Sequence, residues 1–190
     1  DISTGNVSTS MLQRNFITPV IQTKTIVNGN PVSLIKKPYH YVTGNSGAFI
    51  LDREMYCSSG LEADLKIITQ YSYDNLGNLK GYTKNNGLEV YIIWGYNNMY
   101  PVAIIENAPL TLVQTIPGNP QYQIQLASNT GTEAELLAAL QTLRDAPLLA
   151  DSMITTYTYK PLVGIRTMTD PKGERINFEY DSFGRLITTR

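Results

Sequence analysis

The chain has almost none of the residues that build disulfides, metal centres and most catalytic sites. Its 190 residues include one cysteine, Cys57, and one histidine, His40. A single cysteine excludes a disulfide within the chain, and these two residues are too few for a zinc or redox site. One histidine also leaves little for a Ser-His-Asp triad. We therefore predict no cofactor and no metal, and we assign Cys57 to packing.

Charge is scarce as well. Charged residues make up 16% of the chain, below the usual quarter, and 15 basic residues nearly cancel 16 acidic ones. The chain has no basic run or stripe, which argues against nucleic acid and against electrostatic docking to a membrane. No apolar stretch approaches the ~18 residues that span a bilayer, so we expect no membrane insertion. The first ten residues, DISTGNVSTS, carry no signal-peptide pattern.

Tyrosines and turn signals, by contrast, are abundant. The 13 tyrosines are typical of half-buried β-sheet surfaces, where the ring packs against neighbours and the hydroxyl remains in contact with solvent. Asn28-Gly29 and Asn86-Gly87 each lie between β-rich runs and predict hairpins, because both residue types tolerate positive φ. Asp170-Pro171-Lys172-Gly173 predicts a third turn. With further strands expected at residues 46–57 and 62–74, we predict a mainly β fold of antiparallel hairpins in a curved or twisted sheet.

One segment follows a helical pattern instead. Thr132 and Glu135 form a capping-box sequence, and Pro147 ends the run that follows. Leucines recur between them at helical spacing, at positions 136, 137, 140 and 143. We predict a short amphipathic helix over about 132–144 whose leucine stripe packs on a sheet face. A helical turn is expected near 109–116, and the polar stretch 118–131 is predicted to be a loop.

A short motif occurs twice. YSYDNLGNL at residues 71–79 matches FEYDSFGRL at 178–186: an aromatic residue, any residue, Tyr-Asp, two residues, Gly, one residue and Leu. The Asp carboxylate can accept backbone N–H groups within such a turn, and Gly supplies the left-handed conformation. WGYNNMYPV at 94–102 is a degenerate third copy, with Asn97 in place of Asp and Tyr100 at the Gly position. The interval between the first copy, which begins at residue 71, and the degenerate copy, which begins at residue 94, predicts one hairpin per repeat.

The segment Tyr180-Asp181-x-x-Gly184-Arg185-Leu186 resembles the YD repeat of bacterial RHS proteins, closest to the cell-surface or secreted versions of Bacteroidetes-type bacteria. The resemblance extends from about Tyr71 to Arg190, with a gap of less similar sequence near 110–130. It implies repeats that build a spiralling β-sheet around a C-terminal toxin or other cargo. The copy at Tyr73 departs from the motif, because Asn78 stands where Arg is usual. Toxin-type RHS shells also end in a self-cleaving Asp-Pro-x-Gly region, but here the single copy, at Asp170, precedes a YD motif, so we predict a turn.

The motif residues have a structural interpretation and a catalytic one. Asp181 and Arg185 could form an acid and an electrophile, but Asn78 replaces Arg in the first copy, so we predict that Asp181 caps its own turn. We predict no catalytic residues. The residues assigned to the repeat turns are Tyr73, Asp74, Gly77, Leu79, Tyr180, Asp181, Gly184, Arg185 and Leu186.

Two alternatives remain open. Aromatic residues near 91–100, namely Tyr91, Trp94, Tyr96 and Tyr100, could form a platform for a sugar ring, although alternating aromatics are more often core. Glu62 and Asp64 alternate at strand spacing and would share a face, which could suit a hydrolase.

The sequence thus favours a non-enzymatic segment of an RHS/YD-repeat protein, either shell or cell-surface scaffold. We expect a loosely similar β-rich segment over 1–70 and a YD-repeat-like region with a helical insertion over 71–190, together one unit excised from a longer protein. Its expected partners are neighbouring YD repeats, a cargo or toxin domain, or a cell-surface glycan. We expect the protein to be secreted or to lie on the bacterial cell surface.

Overall fold

The computed structural model describes residues 7–41 and 48–190. Its strands are β1 (Gln22–Val27), β2 (Asn30–Lys36), β3 (Tyr39–Tyr41), β4 (Phe49–Leu51), β5 (Arg53–Cys57), β6 (Lys66–Tyr73), β7 (Leu79–Lys84), β8 (Glu89–Gly95), β9 (Tyr100–Glu106), β10 (Met153–Lys160), β11 (Gly164–Thr169), β12 (Arg175–Tyr180) and β13 (Leu186–Thr189). Its α-helices are α1 (Val7–Gln13), α2 (Leu110–Gln114), α3 (Pro120–Thr130) and α4 (Glu133–Arg144), and 3-10 turns lie at Glu62–Asp64 and Pro147–Leu149. The fold is mainly β and antiparallel, as the sequence predicts. In the part of the chain that the structure describes, no helix is long and apolar enough to cross a membrane.

The chain divides into two compact units, the first ending at Gly87 and the second beginning at Leu88. In the first unit, neighbouring strands follow the order β1-β2-β5-β6-β7, and β3 pairs separately with β4. Asn28 (φ 49°) and Gly29 (φ 79°) connect β1 to β2, which confirms the predicted hairpin. After β7, Gly87 (φ 83°) closes a turn by donating its N–H to Lys84 O at 3.0 Å.

Two strand predictions in the first unit need correction. The stretch 46–57 was expected to be one strand, but Asp52 separates β4 from β5, and residues 46 and 47 lie outside the described part. The stretch 62–74 begins with the 3-10 turn at Glu62–Asp64, and β6 starts only at Lys66. Alternation at strand spacing therefore does not apply to Glu62 and Asp64. Cys57 is buried, as predicted, and its thiol donates to Leu61 O.

The second unit is a sheet with helices on one face. Its strands follow the order β8-β9-β10-β11-β12-β13, α3 packs against β8, and α4 packs against β10. The apolar core lies between helices and strands and includes Tyr91, Ile93, Ala103, Ile105, Ile124, Leu136, Leu140, Leu143 and Ile154. Side chains alternate along a strand, so the residues between these core positions face the other side of the sheet.

The predicted capping box is present in α4. The Glu135 N–H donates to Thr132 Oγ1 at 3.3 Å, and the Thr132 N–H donates to Glu135 Oε2 at 2.6 Å. Leu136, Leu140 and Leu143 are buried, whereas Leu137 is only partly covered. The helical turn expected near 109–116 is also present, as α2.

The predicted loop over 118–131 is wrong, because most of it is α3. Asn119 caps this helix by accepting the Tyr122 N–H at 3.2 Å, and Pro120 occupies the first turn. Proline there loses no helical hydrogen bond and has a φ already suited to a helix. The polar composition was misleading: Ile124 and Ser128 face inward, and the other side of the helix is exposed.

Polar contacts fix both ends of α4 on the sheet. Near its start, Glu133 Oε1 accepts the Thr158 hydroxyl at 2.6 Å, and Thr158 lies 2.8 Å from the Thr167 hydroxyl. At its end, Arg144 donates to Ile154 O at 2.5 Å and to Asp170 O at 2.6 Å. These bonds join α4 to β10 and, at Asp170, to the turn that follows β11.

Candidate functional site

The first YD turn is built around one carboxylate. Asp74 Oδ1 accepts the backbone N–H of Leu76 at 2.9 Å and of Asn78 at 2.8 Å. The Gly77 N–H donates to Asp74 O at 3.2 Å, and the Asp74 N–H donates to Asn78 O at 3.0 Å. Gly77 has a φ of 88°, a conformation that glycine adopts without steric cost. The carboxylate thereby caps its own turn, as predicted.

The second YD turn repeats this arrangement atom for atom. Asp181 Oδ1 accepts the N–H groups of Phe183 and Arg185, both at 2.9 Å. The Gly184 N–H donates to Asp181 O at 3.1 Å, the Asp181 N–H donates to Arg185 O at 2.9 Å, and Gly184 has a φ of 76°. Accepted hydrogen bonds favour the ionised carboxylate, so the Arg185 backbone N–H, its guanidinium and the Phe183 N–H together lower the pKa of Asp181.

The position after Gly has the same role in both copies. Arg185 Nε donates to Asp181 Oδ2 at 2.7 Å, and Asn78 Nδ2 donates to Asp74 Oδ2 at 3.2 Å. Asn78 therefore does what Arg does in the other copy, with a neutral amide in place of a guanidinium. Because this Asp–Arg pair is internal to a hairpin turn, its geometry is that of a cap.

A third copy of the turn lies where the sequence predicted an ordinary hairpin. Asp170 Oδ1 accepts the Glu174 N–H at 2.9 Å, the Gly173 N–H donates to Asp170 O at 3.0 Å, and the Asp170 N–H donates to Glu174 O at 3.0 Å. Gly173 has a φ of 91°. The Asp-x-x-Gly spacing alone could have revealed this copy, but no Tyr precedes Asp170.

The degenerate copy proposed at 94–102 is not a turn of this kind. Tyr96, Asn97 and Asn98 have positive φ one after another, from 52° to 61°, whereas the Asp-centred turn has positive φ only at its glycine. The Asn97 N–H donates to the side chain of Asn129 in α3 at 2.6 Å. A helix contact thus stabilises this turn, a contribution that could not be foreseen from the local sequence.

The Tyr and Leu of the motif occupy equivalent places on the strands. Tyr73 pairs with Leu79 across β6 and β7, and Tyr180 pairs with Leu186 across β12 and β13. In each hairpin the register shifts by one residue immediately before the Tyr. Such a bulge bends the strand and increases its twist. Both YD hairpins are therefore bulged, as are the β8–β9 and β10–β11 hairpins, which lack the Asp-centred turn.

Tyr180 has an additional role. Its hydroxyl donates to Ile165 O at 2.8 Å, and its ring lies over Gly164 on the neighbouring strand. A Cβ at Gly164 would lie 2.5 Å from the Tyr180 hydroxyl oxygen. A glycine inside a strand marks such a close approach. Tyr180 thereby connects its own hairpin to β11 of the preceding one.

The four aromatic residues proposed as a sugar platform do not share a surface. Tyr91 is 2% exposed, lies beneath α3 and donates its hydroxyl to Gln121 at 2.9 Å. Trp94 lies three residues further along β8 and hence on the opposite face of the sheet. Tyr96 and Tyr100 do meet edge to face, with ring centroids 5.7 Å apart. The four-residue platform is therefore wrong, because strand alternation separates Tyr91 from Trp94.

Tyr96 and Tyr100 instead form a cluster with Tyr159. The Tyr100 and Tyr159 rings stack with centroids 4.8 Å apart, and Tyr96 packs edge-on against both. The Tyr96 hydroxyl accepts the Tyr159 N–H at 2.9 Å, and the Tyr159 hydroxyl donates to Pro101 O at 2.8 Å. Burial raises the pKa of Tyr159 to about 12, with smaller contributions from the neighbouring tyrosines. The cluster connects β9 to β10 and was not predicted.

The two carboxylates proposed for hydrolysis point to different partners. Glu62 pairs with Lys36 at 2.7 Å, and Asp64 accepts the Ser59 hydroxyl at 2.5 Å beside a cavity of about 500 Å³. A paired acid and base would have to act on one bond between them. Here Glu62 is outside the lining of the cavity, so the geometry gives no support to this pair.

Comparisons with known proteins do not assign this chain to a family. No family model matches the chain, and no curated protein matches it. Among solved structures, it is similar to a chain in the crystal structure of TcdB2-TccC3-TEV, with 13% sequence identity and a TM-score of 0.46. The match covers 88% of this chain and 8% of the other, so this chain spans a small fraction of the length of the protein it matches.

Proposed function

We propose that this chain is a non-enzymatic structural and interaction segment of an RHS/YD-repeat protein. Its role is geometric: each Asp-x-x-Gly turn fixes a hairpin, and in the last copy Tyr180, directly before the Asp, joins its hairpin to the neighbouring strand β11. The observation that carries the proposal is the recurrence of one hydrogen-bond pattern at Asp74, Asp170 and Asp181. A catalytic Asp would not be expected to adopt the same self-capping geometry at three separate places.

The motif residues support this interpretation through what they contact. Oδ1 of Asp74 and of Asp181 accepts two backbone N–H groups of its own turn, and the other oxygen accepts a side-chain donor. At these two residues little capacity is left for a substrate or a metal. Oδ1 of Asp170 accepts the Glu174 N–H of its own turn. The proposed partners are neighbouring YD repeats and, through them, an enclosed cargo or toxin domain. The proposed location is outside the cell or on its surface.

Glycan binding is the less favoured function. Because Tyr91 is enclosed and Trp94 lies on the opposite face of β8, a sugar could stack on Trp94 but not on the predicted set. Glycan-array binding that is lost in a folded Trp94→Ala variant would establish this function, and it would replace the structural one for that surface.

The turn assignment is tested by Gly184→Val. A β-branched residue resists the φ of 76°, so we expect the variant to lower the free energy of unfolding by about 1–3 kcal/mol. Ser182→Val, in the same turn but exposed, is the matched control and should change stability by less than about 0.5 kcal/mol. Equal urea midpoints for both variants and the parent would contradict the turn assignment.

A further inference from the structure

A small cavity lies between α2 and the first turns of α3. Its volume is about 330 Å³, and it is lined by Gln114, Asn119, Gln121, Tyr122 and Gln125. Four of these five side chains are amides, and the fifth carries an aromatic ring. Among the described residues, none that lines the cavity is charged. We call this cavity the amide pocket.

Core packing holds both walls of the amide pocket. Both helices pack against β8, where Val113 of α2 and Ile124 of α3 are buried. Between the helices, Gly118 and Asn119 have positive φ, 81° and 46° respectively, and the chain reverses there. This reversal brings Gln114 of α2 to the same cavity as the first turns of α3. The pocket is therefore a property of the folded chain and needs no ligand to form.

The side chains on α3 are arranged on one face of the helix. Tyr91, which is buried beneath the helix, donates its hydroxyl to Gln121 Oε1 at 2.9 Å, and this bond orients the Gln121 amide. Residues three and four apart share a helix face, so Gln125 lies beside both Gln121 and Tyr122. Tyr122 is 55% exposed, so its ring is accessible from solvent. The pocket thus combines an oriented amide with an accessible aromatic ring.

Charge is absent from this part of the sequence. Residues 107–132 include no Asp, Glu, Lys, Arg or His, whereas the next helix, α4, carries Glu133, Glu135 and Arg144. A charged ligand would lose its hydration in the amide pocket without gaining a counter-charge. The pocket therefore favours a neutral ligand.

Neutral amides beside an exposed tyrosine match the chemistry of a sugar. An amide carries both donors and acceptors, and a sugar hydroxyl both donates and accepts. The C–H face of a sugar ring is apolar and can stack on the apolar face of a tyrosine ring. Ligand cavities range from ~300 to ~1,000 Å³, so a volume near the lower limit suits about one or two sugar rings. Peptides are usually bound as an added strand, as a helix in an apolar groove or on several aromatic residues, and the five lining residues provide none of these.

We propose that the amide pocket binds a neutral saccharide. Tyr122 stacks on one face of a sugar ring, while Gln121 and Gln125 form hydrogen bonds with its hydroxyls. This site differs from the aromatic platform predicted on β8, because Trp94 is not part of it and Tyr91 acts only by orienting Gln121. Saccharide binding adds to the proposed scaffold role and does not depend on it, since the Asp-centred turns involve other residues.

The test is a glycan array that carries neutral oligosaccharides of hexoses and N-acetylhexosamines beside oligosaccharides that contain sialic or uronic acids. We expect the parent to bind neutral glycans in preference to acidic ones. Tyr122→Ala should lower this binding about tenfold or more, because truncating an aromatic anchor commonly costs at least that factor. Tyr122→Phe keeps the ring and should retain most of the binding. Thermal melts establish that each variant is folded.

Two glutamines of α3 provide a matched pair of variants. Gln125→Ala removes hydrogen-bonding groups from the amide pocket and should lower binding several-fold. Gln123→Ala makes the same change on the same helix, but Gln123 is outside the lining of the pocket, so this variant should bind like the parent. Alanine is a strong helix former, so neither change should weaken α3.

Several outcomes would overturn the proposal. A folded parent that binds no neutral glycan would do so, as would equal binding by Tyr122→Ala and the parent. A loss in Trp94→Ala without a loss in Tyr122→Ala would place the sugar on β8 instead. Equal binding of acidic and neutral glycans would contradict the inference from charge. Binding of proline-rich peptides that is lost in Tyr122→Ala, with no glycan bound, would assign the pocket to peptides. None of these outcomes affects the Gly184→Val test of the turn.

Discussion

The contact between Tyr180 and Gly164 provides a quantitative prediction about the YD tyrosine. In Gly164→Ala the new Cβ would lie 2.5 Å from the hydroxyl oxygen of Tyr180 and 2.9 Å from Cζ, so the ring must turn away. Overpacking of this kind costs about 1–3 kcal/mol, and the lost hydrogen bond to Ile165 O adds about 0.5–1.5 kcal/mol. Alanine restores about 0.5–1 kcal/mol of strand entropy. We expect a net loss of about 2 kcal/mol.

A double-mutant cycle isolates the contact. In a Tyr180→Leu background the clash is absent, so Gly164→Ala should be neutral or slightly stabilising, and the coupling between the two sites should reach about 2 kcal/mol. Urea unfolding followed by tryptophan fluorescence is the assay, since the sole tryptophan, Trp94, lies in the same unit as this pair. Additivity of the two changes within about 0.5 kcal/mol would show that Tyr180 does not rest on Gly164, and the proposed joining role would fall.

Two further predictions concern the core and the tyrosine cluster. Leu140→Ala should lower the free energy of unfolding by about 2–5 kcal/mol, and Leu137→Ala by clearly less, because only Leu140 is fully buried; equal losses in urea would contradict the packing described. Burial raises the pKa of Tyr159 to about 12, so in the unfolded chain this tyrosine ionises at lower pH, near 10. The free energy of unfolding should therefore be unchanged below pH 10 and should fall as the pH rises to about 12. The decline should be smaller in Tyr159→Phe; an identical pH profile would exclude Tyr159 as its source.

Short-range signals predicted the features that are local in the chain. Asn28-Gly29 specified its hairpin because two residues with positive φ are sufficient to reverse a strand. Thr132 and Glu135 specified the start of α4 because the capping box closes within four residues. The two YD turns were predicted for the same reason: every hydrogen bond of the cap lies within five residues.

The incorrect predictions concern segments in which average polarity or residue spacing does not reflect the local backbone geometry. Residues 118–131 are polar on average, but the Asn119-Pro120 cap starts a helix that buries Ile124 and, through its hydroxyl bonds, Ser128. Glu62 and Asp64 have strand spacing, but the chain turns there before β6 begins. The role of Asn78 was also underestimated, since amide and guanidinium differ in charge yet donate to the same carboxylate oxygen.

The amino-acid sequence by itself determined the turn chemistry, the capped helix and the mainly β architecture, because each depends on residues that are close in the chain. Tertiary structure alone decided which side chains share a surface. It brought Tyr159 to Tyr96 and Tyr100, which are more than 50 residues away in the chain. The pairing of β9 with β10 sets this neighbourhood. Residues 107–152 separate the two strands, and no local pattern encodes a pairing over that distance.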